Sequence, residues 1–511
     1  MRKVNSLKNA LAAILSNIVS IIMGLVSQAY FIKILGEEYL GLNSLFTNIL
    51  SMLAIVELGI GSAIIYNLYK PIAEDDKETI KSLMKFYKKS YHIIAMIVLI
   101  IGISIMPFLK YVIGEVKVNI NLNAIYILFL LDTVASYFLS YKRSILYANQ
   151  KNYLINIVHI GYTIILNISQ MLILYFTRSY YLYLCIKLFA RIAENLVITY
   201  ISNKMYVFLN DRKTKNLDKK IEEDIFKKVK ALFFHKIGIF VINGTDNIII
   251  SAFLGVSTVG YYSNYYLIIN AVQTVFSQII SATTASIGNL LVVADKDKQF
   301  DIFNKIKFLN LYISIFANVC IFNIMDSFIT IWIGEKFVLS KVVLFTLVLN
   351  NFQKLQRTTY GAFKDAGGVF YEDRFVPIIE SLINIISSIL FVNIFGLSGV
   401  FIGTITSSLI LWFYSYPKFV YKKLLGKDYK KYTMEIIKDI SSFIVILLIS
   451  YLPIPFIHIG NTYMKFIMNT IISLILPNVL LIFIYRKNKD LQYYINLIKK
   501  IFIKRKEENN E

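Results

Sequence analysis

Apolar residues in this chain come in long unbroken runs, with no alternating pattern and few one-sided stripes. A helix of about 20 residues is needed to cross the hydrocarbon of a bilayer. Runs of that kind fall near 11–32, 42–66, 91–109, 120–140, 153–176 and 180–201. They resume near 232–254, 261–291, 308–333, 339–360, 375–395, 399–416, 436–453 and 464–485. The pattern predicts fourteen transmembrane helices. The thirteenth is short and stops at Pro453 and Pro455, whereas 261–291 is long enough to project beyond the membrane. The first run, Leu11 to Ile32, exceeds the apolar core of a signal peptide and lacks a small-residue cleavage site after it, so it reads as a retained span.

The positions of the cations give an independent test, because Lys and Arg concentrate in cytoplasmic loops. With the N-terminus inside, the segments that alternate onto the cytoplasmic face hold 44 of the 54 Lys and Arg residues. The outer connections hold Lys33, Lys110, Lys117, Arg178, Lys336, Lys341 and Lys465, and only Lys187, Arg191 and Lys236 fall within spans. A wrong span count would scramble this alternation from the error onward, so both termini are expected on the cytoplasmic side. Two polar segments have apolar residues at helical spacing, Asn203–Lys230 and Leu491–Lys504, and read as amphipathic helices on the inner surface.

Composition agrees. Of 511 residues, 57% are hydrophobic and 17% charged, with a mean hydropathy of +0.60. A typical soluble chain has roughly 25% charged residues, so too few exist here to coat a water-facing exterior. The net charge of +22 does not indicate nucleic acid, because the basic residues come in short bursts between apolar runs and not along one folded face. Cys185 and Cys320 lie singly inside apolar runs and form no metal or redox motif.

A short repeat suggests how the spans are organised. Leu35-Gly36 and Gly41 recur as Leu254-Gly255 and Gly260, 219 positions later, each time in an outer loop after an odd-numbered span. Six spans separate the two copies. An even repeat unit keeps its orientation, so the copies are expected to be related by an axis along the membrane normal. The fold class read from the chain is an all-α integral membrane protein. About fourteen transmembrane helices form two six-helix lobes related by a pseudo-two-fold axis, with two C-terminal helices appended. In residues, this places an N-lobe at 1–202, an amphipathic linker at 203–231, a C-lobe at 232–430, helices thirteen and fourteen at 431–490 and a basic tail at 491–511.

Ionised groups inside a membrane are costly and face a cavity or a partner. Span two carries Glu57 and span four Asp132. Span six carries Lys187, Arg191 and Glu194, spaced four and three apart and therefore on one helical face. Span seven opens with His235-Lys236 and holds Asp246 and Asn247 deeper in, while Lys354 and Arg357 rim the inner end of span ten. Arg191 and Glu194 could simply pair with each other. Gly399 and Gly403 give one small-residue face for close helix packing. Of the 36 tyrosines some read as interfacial belts, with Tyr261, Tyr262, Tyr265 and Tyr266 as an alternative path for a ring-bearing substrate. The sequence carries no P-loop, HExxH, GxSxG or paired-cysteine signature, and His92, His159, His235 and His458 do not cluster. An enzyme and a resident metal are therefore not expected, and secondary or facilitated transport is.

Several stretches resemble a known family: 31–46, 57–64, 68–74, 236–251 and 396–404. They are similar to the polysaccharide-unit flippases, the O-antigen, capsule and exopolysaccharide transporters of the multidrug/oligosaccharidyl-lipid/polysaccharide exporter superfamily, in its Gram-positive-like branch. The likeness runs through the twelfth span and weakens after it. It implies alternating access in a bacterial cell membrane and an undecaprenyl-pyrophosphate-linked glycan as substrate, turned from the inner to the outer leaflet. Other polysaccharide-assembly membrane proteins are the implied partners, and Na+ or H+ coupling the implied energy source, without an identifiable ion site. The pyrophosphate needs shielding from hydrocarbon, which cations supply through charge-assisted hydrogen bonds. By charge and depth, Arg191 and Lys236 are the leading headgroup candidates and Lys187 and Arg357 weaker ones. Asp246, Asn247, Glu57, Asp132 and Glu194 are candidates for the polar cavity or for ion coupling. A drug or metabolite antiporter of the same superfamily would share the fold. A glycan polymerase or ligase would need a large outer loop, and the longest outer connection here is roughly ten residues.

Overall fold

The computed structural model describes residues 2–508 apart from 54–56, 58–59, 114–117, 119, 212–214, 216, 370–371 and 458. Several helical side chains, including those of 230–243, lie outside the described set as well. Among the described residues there is no strand. That is the expected outcome for lipid surroundings, where backbone N–H and C=O groups must find partners within their own segment.

The chain divides into two compact units, Met1–Leu267 and Ile268–Glu511. The first holds α1 (Arg2–Leu35), α2 (Glu37–Leu53), α3 (Ile60–Ala73), α4 (Lys77–Ile105), α5 (Leu109–Ile113), α6 (Leu122–Tyr137), α7 (Tyr141–Ala148), α8 (Asn152–Thr177), α9 (Tyr180–Met205), α10 (Lys219–Leu254) and the first turns of α11 (Val256–Val293). The second holds the rest of α11 with α12 (Lys296–Trp332), α13 (Lys341–Ala366), α14 (Val376–Phe395), α15 (Leu397–Ile410), α16 (Tyr429–Tyr451), α17 (Thr462–Tyr485) and α18 (Lys489–Glu508). Beyond Ile410, α15 runs on in wider π-helical turns from Leu411 to Leu424, around Pro417. Several helix starts are capped by side chains that accept from freed amides, among them Asp76, Asn121, Ser179, Asp295 and Ser340. Thr79 donates to the exposed Asp76 carboxylate through both its amide and its hydroxyl, and these bonds hold the Asp76 pKa below its ordinary value.

By length and apolar composition, 8 described helices can cross a membrane, and 9 if α6 and α7, bent by 43° at their junction, count as one. The remaining runs also fall on helices, but the fourteen-span count is not established on this criterion. Helix α2 has only 17 residues, α9 carries Lys187, Arg191, Glu194 and Lys204, and α13 carries Asn350, Asn351, Gln353, Lys354, Gln356 and Arg357. The second run lies on α2 and α3, either side of residues outside the described set. A second difference concerns the segment 203–231. Its helical part is no separate surface helix, because α10 continues unbroken from Lys219 through span seven. With no proline between Lys219 and Leu254, nothing interrupts the hydrogen-bond ladder.

Lipid-facing stripes are plain on α1, where Leu11, Ile14, Leu15, Ile18, Ile22 and Val26 are exposed at helical spacing. A water-soluble chain does not leave an apolar face of that length open. Polar side chains instead lie between helices. In the second unit Asn310 on α12 donates to the Leu355 carbonyl of α13 at 2.9 Å, and Asn351 donates to Asn318 at 2.8 Å. Between α14 and α15, a Cβ on Gly399 would collide with the Phe391 backbone and one on Gly403 with Ser388, so this pair packs through its small residues as the spacing suggested.

The repeat folds the same way twice. Gly36 and Gly255 both adopt left-handed φ, 92° and 85°, where glycine is favoured. Each amide caps the preceding helix, bonding Ile32 O at 2.9 Å and Ser251 O at 3.0 Å. The helices that follow begin at Glu37 and Val256 and cross through their glycines. A Cβ on Gly41 would strike the Val256 carbonyl, and one on Gly260 the Glu37 carbonyl. Ser44 and Ser263, 219 positions apart, share a hydrogen bond of 2.7 Å, and Ser257 donates to Glu38 at the same separation. Equivalent residues touching each other is the signature of a local two-fold axis. Gly260→Val is expected to cost about 1–3 kcal/mol through overpacking at this crossing. The comparison is the melting temperature in detergent against Gly361→Ala, where a Cβ meets nothing within 4 Å. Equal melting of the two variants would show that the close approach contributes nothing.

Candidate functional site

The richest cluster of ionised side chains in the first unit is built where α6 breaks. The helix ends with Phe138 extended and Leu139 at a left-handed φ of 68°, and α7 then starts at Tyr141. The break frees carbonyls that lipid cannot satisfy. Asn195 of α9 takes them up, donating to Ala135 O at 2.9 Å and Phe138 O at 3.1 Å, while its own oxygen accepts from Arg143 Nη2 at 2.9 Å. One amide thus closes the break and draws the α7 arginine against α9.

The face of α9 predicted from its spacing then assembles around two carboxylates. Glu194, whose side chain is 0% exposed, receives Arg191 Nη1 at 2.9 Å, Arg143 Nη2 at 3.3 Å and His159 Nδ1 of α8 at 3.0 Å. Asp132 of α6 lies 3.4 Å from Lys187 Nζ and 3.7 Å from Arg191 Nε. The Arg191 guanidinium lies over the Tyr162 ring at 4.9 Å and the Lys187 ammonium over Phe129 at 4.7 Å. Arg191 therefore does pair with Glu194, as the spacing allowed, but within a network of three cations and two carboxylates. The carboxylates are hidden, while Lys187, Arg191 and Arg143 keep about a quarter of their side chains open. The positive excess faces the accessible side, an arrangement suited to holding an anion.

The other sequence candidates are placed as follows. Glu57, in the segment before α3, accepts from Tyr91 OH of α4 at 3.0 Å. Asp246 and Asn247 are buried on α10, where the Asn247 carbonyl oxygen has no hydrogen-bond partner among the described residues. The side chain of Lys236 lies outside the described residues. Arg357 belongs to the second unit, where both its terminal nitrogens bond Glu380, at 2.7 and 3.2 Å. That unit also holds two ion clusters that spacing did not reveal. Lys307 of α12 lies 2.5 Å from Glu435 and 3.7 Å from Asp439, and Lys364 pairs with Asp373 beside Ser415. Around them pack Phe303, Tyr360, Trp412, Tyr416, Tyr421 and Tyr432, so these tyrosines form core and no belt. Arg143 and His159 were also missed, the first counted as a loop cation and the second as an isolated histidine. The one available signal was Asn195, an amide next to Glu194 on a charged helical face.

Breaking a buried pair by removing one partner leaves an uncompensated charge. Glu194→Ala is therefore expected to lower the melting temperature sharply. Adding Arg191→Ala should cost less than the sum of the single changes, with a coupling of about 1–3 kcal/mol in a double-mutant cycle. Additive effects would mean that the pair is not formed.

Residues 6–285 match the model of a family described as polysaccharide biosynthesis protein. The chain belongs to this family. Among solved structures it is similar to the lipid II flippase MurJ in an inward closed conformation, with 16% identity and a TM-score of 0.65 over 94% of this chain and 99% of that one. It is also similar to an inward-facing multidrug resistance MATE family transporter of the MOP superfamily, with 15% identity and a TM-score of 0.57 over 76% and 91% of the two chains. A Vibrio cholerae MATE transporter, VcmN, gives 12% identity and a TM-score of 0.55 over 80% and 94%. No curated protein matches the chain in sequence. At these identities the structures establish the fold alone, and the solved proteins that share it are a flippase and transporters.

Proposed function

We propose that this polysaccharide biosynthesis family member is a flippase. It moves an undecaprenyl-pyrophosphate-linked oligosaccharide repeat unit from the inner to the outer leaflet of a bacterial cytoplasmic membrane, by alternating access, for a surface polysaccharide such as a capsule or exopolysaccharide. The observation that carries this reading is the cation face of Arg143, Lys187 and Arg191, backed by the buried carboxylates Asp132 and Glu194. A pyrophosphate is a compact anion that hydrocarbon rejects. A site with more cations than carboxylates, its positive side open, can replace the water the headgroup leaves. The carboxylates keep the free site from carrying three uncompensated charges. Family membership supports a polysaccharide pathway, and the fold supports transport. Both termini lie on the cytoplasmic face in this proposal, two six-helix lobes surround the path, and the lipid tail stays in the bilayer while the sugars cross. Arg357, held by Glu380, is a weaker headgroup candidate than the α9 cations.

Arg191→Ala is expected to reduce surface glycan by at least about tenfold, the worth of one charge-assisted hydrogen bond, with membrane abundance retained. Lipid-linked units should accumulate on the inner leaflet. Unchanged export would remove Arg191 from the path, and export of cationic dyes without any glycan defect would favour a drug antiporter. The orientation has its own test. In a chain lacking Cys185 and Cys320, a cysteine at Ser257 should react with an impermeant thiol reagent from outside and one at the exposed Lys215 should not; the reverse pattern would invert the topology.

A further inference from the structure

In the second unit a cavity of about 630 Å3 opens where α12 and α16 end and α13 and α17 begin. Its volume is that of a small-molecule site, for which about 300–1,000 Å3 is usual. Asn323 of α12 and Asn469 of α17 line it and are only 1% and 2% exposed. Both spend their amide hydrogens within the protein: Asn469 donates to Ser327 Oγ at 3.0 Å and Asn323 to Ser450 O at 3.4 Å. Among the described residues their carbonyl oxygens accept nothing, and neither does Asp326 Oδ1 on the same wall. A buried acceptor left without a donor costs about 1–3 kcal/mol. Three such oxygens, closed within the wall of one cavity, call for a ligand that brings several donors and toward which a small side-chain turn would aim them.

Charge narrows the class. Asp326 and Glu335 are balanced by Lys341 and Lys465 in the lining. Lys341 is further engaged, 2.9 Å from Asp326 and over the Phe322 and Tyr451 rings at 4.9 and 5.1 Å. Its described lining has no net charge with which to hold a phosphate, and the cavity is far larger than a bare ion needs. It offers acceptor oxygens, a few charged rim groups and the Tyr451 ring.

We infer that this cavity binds an uncharged, hydroxyl-rich saccharide, whose hydroxyls donate to the Asn323, Asn469 and Asp326 oxygens. Its role as a subsite for the glycan on the outer face rests on the topology and function proposed above; the binding itself does not. Trp332, two residues beyond the lining residue Thr330, is one of only two tryptophans, so Trp412→Phe makes it the sole reporter. Titration of the purified full chain in detergent with N-acetylglucosamine, galactose and maltotriose should give a saturable change in Trp332 fluorescence with at least one sugar. Asn469→Ala should weaken it about tenfold, the loss expected for a hydrogen bond from a ligand hydroxyl. Thr330→Phe should abolish it by filling the cavity while leaving both asparagines in place, which covers the case that Asn469→Ala does not fold. No saturable response to any of the three sugars overturns the inference, as does a response that persists in Thr330→Phe. A response to sodium chloride in place of sugar also overturns it, in favour of a cation site. Glycan export measured separately in cells reports on the flippase reading alone.

Discussion

An ionised side chain between membrane helices must find a partner, because low-dielectric surroundings charge several kcal/mol for an isolated ion. That constraint organises both units of this protein. In the first, Glu194 and Asp132 draw Arg143 of α7, His159 of α8 and Lys187 and Arg191 of α9 onto one locus. In the second, Lys307 is held between Glu435 and Asp439, and Arg357 by Glu380. The ions work as clamps between helices that otherwise meet through apolar and small side chains and neutral amides.

The same logic applies to the backbone. Where α6 breaks before α7, its carbonyls are satisfied by the amide of Asn195, which also engages Arg143. Where α1 and α10 stop, a left-handed glycine closes each end and lets the next helix begin at once. Gly41 and Gly260 then allow those next helices to approach to backbone contact. The proposed function and the architecture share these irregularities: a helix interruption needs side-chain partners, and the partners it recruits are the polar groups of the proposed headgroup site.

Membership in the polysaccharide biosynthesis family and a fold shared with a lipid II flippase fit this picture. Such a fold supplies the scaffold, and chemistry is a matter of which charges line it. In the cluster of α6, α7, α8 and α9 the more accessible charges are cations, and the carboxylates that compensate them lie behind. That polarity suits an anionic headgroup better than a cationic drug. The neutral, acceptor-rich cavity between α12 and α17 has a different chemistry, one that suits sugars.

The all-helical membrane character, the positions of the helical runs and the 219-residue repeat were legible along the chain. They depend on local quantities: run length, hydropathy and the need for glycine at a left-handed turn. The shared face of Lys187, Arg191 and Glu194 was legible for the same reason, since helical spacing alone puts them together. Tertiary structure alone decided which carboxylate meets which cation. Arg143 and His159 come to Glu194 from 51 and 35 positions away, and Arg357 reaches Glu380 across 23, separations with no periodic signature. It also decided that many tyrosines are core, because burial depends on what the facing helix presents. Hydropathy could say that these groups had to be paired inside the membrane. Only the packing of one helix on another could say with whom.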